Sequence, residues 1–432
     1  MTRRWRPAIA AVLAAAALAA AGCGPGPRVL AVPSGNPLAR LACGPGGAEA
    51  PLGATELQRA YQAPAMFARG IDGAGTTIAD IVPYANPWLA ADLAAYSRRY
   101  HLPAPRLQVI NWQQAPGTSR SPGLSQAGWA QEGTLDLELA HAMAPGARLL
   151  YLEIPASGPG SGQFTAALSW LIAREQVTVV NFSAGTPERW DYSTARGYAP
   201  LLALRTGLQA AARAGVTVVA ASGDYGAAEP EPGDRDLYPY PVLAWPASDP
   251  LATAVGGTRL HTGPSGQRTG PDTVFADDQG RAGGSGLSAA FARPPWQNGV
   301  RAVTGPHRGL ADVSMDASPC SPVLAFTSTN TLPGQHPGWV TVMGTSVAAP
   351  LFAGIVADAA QIAGHRLGIL GPALYQMHGT ADGVLDVTAG TTTTPQMPGY
   401  TARPGYDLPT GIGTVASTWP FTSTLARLAS NR

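Results

Sequence analysis

Met343-Gly-Thr-Ser-Val-Ala-Ala-Pro-Leu-Phe-Ala-Gly354 reads as a sharp loop feeding a helix that is apolar on nearly every side. Val347, Leu351, Phe352, Ile355 and Val356 leave no polar face, so the helix is expected at the centre of the molecule. Ala348, Ala349 and Gly354 are small enough for close packing against a sheet. Thr345 and Ser346 stand at the helix entrance, where a hydroxyl can cap free backbone N–H groups. A cap is the ordinary meaning of Ser at that place. Gly344-Thr345-Ser346 with Pro350 four residues on opens a second meaning, in which Ser346 is a nucleophile in need of a base.

The 432 residues suit one large domain or two modest ones. Hydrophobic residues make up 45%, ample for a sizeable core, and the net charge of +1 points to no nucleic-acid or acidic partner. The chain has no Lys, and charged residues are 13% against an ordinary ~25%. Residues 1–23 carry Arg3, Arg4 and Arg6, then an apolar run from Ala8 to Ala21, which is too short to span a bilayer comfortably. They are expected to be an export signal. Ala20-Ala21-Gly22-Cys23 resembles a bacterial lipobox, so the membrane is expected as a partner only through a lipid on Cys23. The protein would then be extracellular or a cell-surface lipoprotein of a bacterium. Cys43 and Cys320 remain; in an oxidising compartment they can pair, and sequence alone leaves that open.

Residues 24–54, rich in Gly, Pro and Ala, read as a tether. Residues 55–432 read as one α/β domain. Strands are expected at Thr76–Val82, Leu107–Asn111, Ala147–Ile154, Val177–Phe182 and Val216–Ala221. Helices are expected at Pro87–Tyr100, Gln131–Met143, Phe164–Glu175 and Pro200–Ala214. Continuous Val/Ile/Leu/Ala strands joined by helices argue for a mostly parallel sheet flanked by helices on both faces. From Ser222 to Gly338 the chain reads as loop-rich, with a solvated acidic loop at residues 229–236. Gly283-Gly-Ser-Gly-Leu-Ser288 neither follows a strand nor carries the Lys of a phosphate loop, and is rejected as one.

Glu132 and Asp136 lie four residues apart in Gln131–Pro145, on one face of a helix. Two like charges there stabilise nothing unless they share a proton; the alternative is a wet helix face. Glu138 and His141 fall on other faces, and His141 suits the core better than catalysis. Asp224, in Val218-Val-Ala-Ala-Ser-Gly-Asp-Tyr-Gly226, follows an apolar strand at the end where α/β sites form. On its own it is an Asx-turn residue.

These three segments in this order resemble the sedolisin, or serine-carboxyl peptidase, family, which has a subtilisin-like fold. Trp245–Pro250 with Ala254–Thr258, Ser288–Gln297 and Arg308–Val313 resemble it too. The resemblance implies Ser346 as nucleophile, Glu132 as general base, Asp136 as the acid sharing its proton, and Asp224 as oxyanion donor. Glu132-Gly-Thr stands where true subtilisins carry His. The first strand ends Val82-Pro-Tyr instead of in Asp, and Asp80 lies too early in it for that role. A carboxylate base and a neutral acid donor both call for acid conditions.

The resemblance also implies one structural calcium ion. Its ligands would be the Asp386 and Asp407 side chains with the carbonyls of Val387, Arg403 and Gly405, a mixed oxygen set that calcium favours. The family's long prosegment finds no counterpart between tether and domain, and Tyr225 stands where Ser is more usual. The expected protein is therefore an exported, monomeric peptidase acting on peptide or protein substrates in acid. The alternatives are a non-catalytic peptide-binding lipoprotein on the same fold and a conventional subtilisin.

Overall fold

The computed structural model describes residues 43, 47–115, 124–155, 162–189, 198–231, 236–329 and 337–430. The expected leader, Cys23, most of the tether and the middle of the acidic loop 229–236 lie outside the described residues.

The apolar strands assemble as their composition requires. Ten of them form one sheet, numbered here β1 (Thr77–Pro83), β2 (Arg106–Asn111), β3 (Arg148–Ile154), β4 (Val179–Phe182), β5 (Thr217–Ala221), β6 (Thr253–Arg259), β7 (Thr273–Val274), β8 (Val313–Asp316), β9 (Val384–Leu385) and β10 (Thr414–Val415). Their order is 9-10-8-6-5-4-1-3-2, with β7 beside β6. Every pairing from β2 to β10 along that order is parallel; β9 and β7 join antiparallel. β1, β4 and β5 are buried throughout, as strands covered on both faces must be.

Six helices bear on the site: α1 (Leu89–Arg99), α2 (Leu124–Met143), α3 (Gly162–Arg174), α4 (Thr206–Arg213), α5 (Thr345–Ala363) and α6 (Thr418–Ser430). They pack as two sets. α5 lies against α2, α6 and strands β1, β4, β5, β6 and β8, whereas α3 lies against α4, β3 and β1. α5 is buried without a break from Thr345 to Ala360 and stops at Gly364, which takes the left-handed conformation at φ +72°, a common helix ending. By length and hydropathy α5 could cross a membrane, but 83% of that stretch is inside the protein. It is a core helix.

The sequence reading needs three corrections. α2 starts at Leu124, seven residues before the expected Gln131, because polar Ser125-Gln126 and Gly128 masked a helix that tertiary packing sustains. The expected helix Pro200–Ala214 is two, Ala199–Ala203 and α4. Between them Arg205 turns to Asp249, with Nε and Nη2 at 2.5 and 2.9 Å from its carboxyl oxygens. Finally, the stretch taken as loop supplies strands β6 and β8 to the sheet and the hairpin Val323–Thr327/Gly338–Val342. The β6 signal was hidden by Gly256-Gly257, residues depleted in strands. Their lack of side chains is what lets the layers close. A Cβ on Gly256 would lie 2.6 Å from Ser314 Oγ, and one on Gly257 2.8 Å from both the Ala317 Cβ and the Phe275 ring.

Cys43 and Cys320 form a disulfide, their Cα atoms 5.4 Å apart. Beside it the N-terminal segment runs parallel to the hairpin: Glu49 N donates to Cys320 O at 2.7 Å, and Leu324 N to Leu52 O at 2.8 Å.

Gly257→Ala, which forces its Cβ into Ala317 and Phe275, is expected to destabilise the protein by about 1–3 kcal/mol. Urea unfolding measures this; a midpoint equal to the wild type's would show that the layers are looser than described.

Candidate active site

The register of the central strands places Tyr151 on β3, Asp80 on β1 and Asn181 on β4 side by side. Above them lies α2, whose Gly133 would drive any Cβ into the Tyr151 ring 2.5 Å away. That close crossing brings the Glu132 and Asp136 carboxyls down onto the sheet. Both side chains are 1% exposed, so the wet helix face is excluded. Asp136 Oδ1 accepts a hydrogen bond from Ser183 Oγ at 2.6 Å. Asn181 Nδ2 donates to Ser183 Oγ at 3.1 Å and to Asp80 Oδ1 at 3.4 Å.

Asp80, which the sequence set aside only as the strand-end Asp of a subtilisin, lies in this cluster. Its carboxyl lies close enough to that of Asp136 for each to shift the other's titration, and two buried carboxyls so placed resist ionising together. Burial pushes Asp80 up to about 7, against the pull of Asn181 and Asp136. Burial likewise pushes Asp136 far up, aided by the charges of Asp80 and Glu132. A lone Asp inside Thr77-Ile-Ala-Asp-Ile-Val-Pro83 was the signal for it, since an unpaired charge has no structural reason to sit in an apolar strand.

Ser346 approaches the same place from α5. The helix starts at Gly344 with no side-chain cap, so Ser346 is not the cap that its position suggested. Its Oγ lies 3.5 Å from the Ser183 carbonyl. Neither carboxyl oxygen of Glu132 has a partner at ordinary hydrogen-bond geometry. Burial raises Glu132 strongly, and the Ser346 hydroxyl, the polar group facing it, pulls it back toward the carboxylate. The two groups therefore face each other in a loose contact, as is common before substrate tightens a site.

Asp224 completes the constellation from the turn after β5. Its Oδ1 accepts from Thr345 N at 2.7 Å and from Thr345 Oγ1 at 3.0 Å. Its Oδ2 is aimed at Gly344, at φ +104°, where any Cβ would collide with it. Burial raises Asp224, while the two Thr345 donors and the Arg281 charge oppose the rise. The Ser346 N–H engages no acceptor among the described residues. An alcohol, a group of neighbouring buried carboxyls, and a further carboxyl raised by burial beside the Ser346 N–H come together here. Such a set can transfer a proton from the alcohol and hold an oxyanion. His141 is elsewhere: buried, with Nε2 at 3.0 Å from the Pro103 carbonyl.

A second oxygen-rich cluster lies near the C-terminal end. Asp386 Oδ2 accepts from Gly405 N at 2.8 Å, Asp407 Oδ2 from Arg403 N at 2.8 Å, and Asp407 Oδ1 from Thr410 N and Oγ1 at 2.9 Å. Gly405 makes the turn at φ +82°. The carbonyls of Val387, Arg403 and Gly405 accept no backbone hydrogen bond among the described residues. Burial raises Asp407 and the Asp386 charge adds to it, so the carboxyls are near neighbours. Among the described residues no three His, Cys, Asp or Glu side chains gather for a metal. A cation here would have two carboxylates and backbone carbonyls, a donor set that fits calcium.

Comparison with known proteins bears on the family and the fold. The Subtilase family profile matches residues 109–370. Kumamolisin of Bacillus sp. (strain MN-32) is 32% identical over 375 residues, covering 83% of this chain and 61% of that protein. Sedolisin of Pseudomonas sp. (strain 101) is 30% identical over 351 residues, covering 79% of this chain and 56% of that protein. The chain thus spans about 60% of the length of these curated relatives. The solved structure of Pseudomonas sedolisin, a serine-carboxyl proteinase complexed with two molecules of pseudo-iodotyrostatin, superposes with a TM-score of 0.71 at 26% identity. It covers 89% of this chain and 98% of that one.

The buried carboxyls set the stability profile. Groups whose folded pKa is raised bind more protons folded than unfolded, so their contribution is full below the unfolded value and is lost as pH rises through the folded one. For Asp80 that window runs from 3.8 to about 7. Stability from urea unfolding should fall across it, and Asp80→Asn should flatten the slope. Stability that rises with pH over this window would contradict the carboxyl cluster.

Proposed function

The chain belongs to the subtilase family and, within it, to the sedolisin group, and on that footing we propose that it is a serine-carboxyl peptidase cleaving peptide bonds in acid. The observation that carries the reading is the meeting of Ser346 with the Glu132–Asp136–Asp80 carboxyls where an imidazole would otherwise serve.

Ser346 Oγ attacks the substrate carbonyl while Glu132 takes the hydroxyl proton. Asp136, held by Ser183, shares a proton with the acids beside it and so accommodates the one Glu132 gains. Charge on the former carbonyl oxygen is met by the Ser346 N–H and by Asp224. Asp224 donates only while protonated, which its burial favours. Glu132 returns the proton to the departing amine, and water then hydrolyses the acyl-Ser346 ester by the same steps. Glu132 must be ionised and Asp224 protonated together, a pairing that we place in acid because the Ser346 hydroxyl pulls Glu132 back toward the carboxylate against its burial.

The Cys43–Cys320 disulfide supports an oxidising compartment and hence export. The proposal includes one structural calcium ion held by Asp386, Asp407 and the carbonyls of Val387, Arg403 and Gly405. It would neutralise two carboxylates and pin the loop that carries Gly405 to β9.

A peptide library incubated with the protein from about pH 3 to pH 8 tests the function. Cleavage peaking in acid is expected, and Ser346→Ala or Glu132→Gln should lower kcat by about a thousandfold or more. No cleavage at any pH favours a peptide-binding protein on this fold, and a neutral optimum rules out the carboxyl base. For the cation, a chelator should lower Tm. A calcium concentration a hundredfold above Kd contributes about 2.7 kcal/mol. In Asp386→Asn/Asp407→Asn the chelator should have no further effect; equal chelator sensitivity in wild type and variant would remove the site.

A further inference from the structure

The Asp224 turn is not self-supporting. Residues 277–285 run alongside it, and four backbone bonds join the two segments. Ala282 N donates to Asp224 O at 3.0 Å, Gly226 N to Ala282 O at 2.9 Å, Gly284 N to Gly223 O at 2.7 Å and Ser285 N to Gly226 O at 3.0 Å. A Cβ on Gly284 would overlap the Ser222 carbonyl. This contact accounts for Gly284 within the Gly283-Gly-Ser-Gly run, which braces the turn.

The brace closes on an ion pair. Asp277 Oδ2 accepts from Arg281 Nε at 2.6 Å and lies 2.6 Å from Nη2, with the side chains 0% and 11% exposed. Asp277 Oδ1 accepts from Gln279 N at 2.9 Å and from Arg281 N at 3.0 Å. A pair so buried costs more desolvation than a surface pair, so its stabilising value is small. Its location gives it another use. We propose that Asp277 and Arg281 are positioning residues for Asp224: the pair clamps the segment that carries the Asp224 turn and presents two opposed charges to its carboxyl. The guanidinium favours the Asp224 carboxylate, and the Asp277 carboxylate favours the acid. The other groups facing Asp224 are Glu132 from α2, the uncharged Thr345 from α5, and Glu229, beside Gly223 in its own loop. The cationic member of this set is Arg281, so the pair decides the balance. The inference rests on the reading of Asp224 as oxyanion donor.

Arg281→Met and Asp277→Asn separate this role from bracing. Both weaken the clamp, whereas their charge effects on Asp224 have opposite signs. Asp277→Asn keeps the Oδ1 acceptor, Arg281→Lys keeps the charge, and circular dichroism checks that each variant folds. The 13C resonances of labelled aspartate carboxyls, with Asp224 assigned by Asp224→Asn, report its titration without turnover. The Asp224 midpoint should move up in Arg281→Met, down in Asp277→Asn, and stay near the wild type's in Arg281→Lys. At a fixed pH on the alkaline limb of kcat/KM, the rate should be about threefold above wild type in Arg281→Met and about threefold below in Asp277→Asn. Midpoints that move together, or not at all, overturn the proposal. A wild type that cleaves nothing while its Asp224 midpoint moves as stated sinks the peptidase reading and leaves the clamp standing.

Discussion

Taking a carboxylate out of water costs several kcal/mol, which protein contacts seldom return in full. Here three carboxyls are taken out at the crossing of α2 over β1, and a fourth lies across the cleft at Asp224. What makes this tolerable is protonation: a neutral acid can be buried at the cost of an amide, provided that it is hydrogen-bonded. The surroundings are built to that end. Ser183 and Asn181 supply donors, Gly133 lets the helix close on Tyr151, and the apolar α5 excludes water from the other side. The fold and the chemistry thus answer to one requirement, that this crossing stay dry.

α2 organises more than the site. It is buried on all sides from Trp129 to Met143, and its acidic residues serve different partners. Glu132 and Asp136 face the sheet and the nucleophile. Glu138, two residues on, accepts from Phe326 N at 3.0 Å and so holds the hairpin whose second strand runs on into Gly344 and Ser346. Asp92 on α1 accepts from Ser328 N at 2.9 Å and does the same from the neighbouring helix. Two carboxyls, one on each helix, therefore steady the first strand of the hairpin, on which the strand leading to the nucleophile is paired.

The sequence was readable where a side chain's cost is local. An all-apolar run after Gly344-Thr-Ser could only be a core helix, and the spacing of Glu132 and Asp136 put them on one face whatever that face met. Asp224 was visible as a residue beyond a strand end. Asp80 was missed because its role depends on which strands become its neighbours, and β4 with Asn181 comes 101 residues later. β6 was missed because Gly256-Gly257 answers to the approach of Ala317, Phe275 and Ser314, none of which is near in sequence. Thr345 read as a cap and turned out to bind the Asp224 loop, a partner that no helix signal predicts. Local preference found the elements; contacts between distant segments decided their use.

The disulfide ties residue 43 to residue 320 and so encloses more than half of the polypeptide in a covalent ring. A ring of that size removes about 5 kcal/mol of freedom from the unfolded chain. Its closure point lies three residues past Ala317, whose carbonyl accepts from Gly344 N at 2.7 Å. The covalent closure of the ring therefore lies within three residues of the contact that seats the start of the hydroxyl-bearing helix.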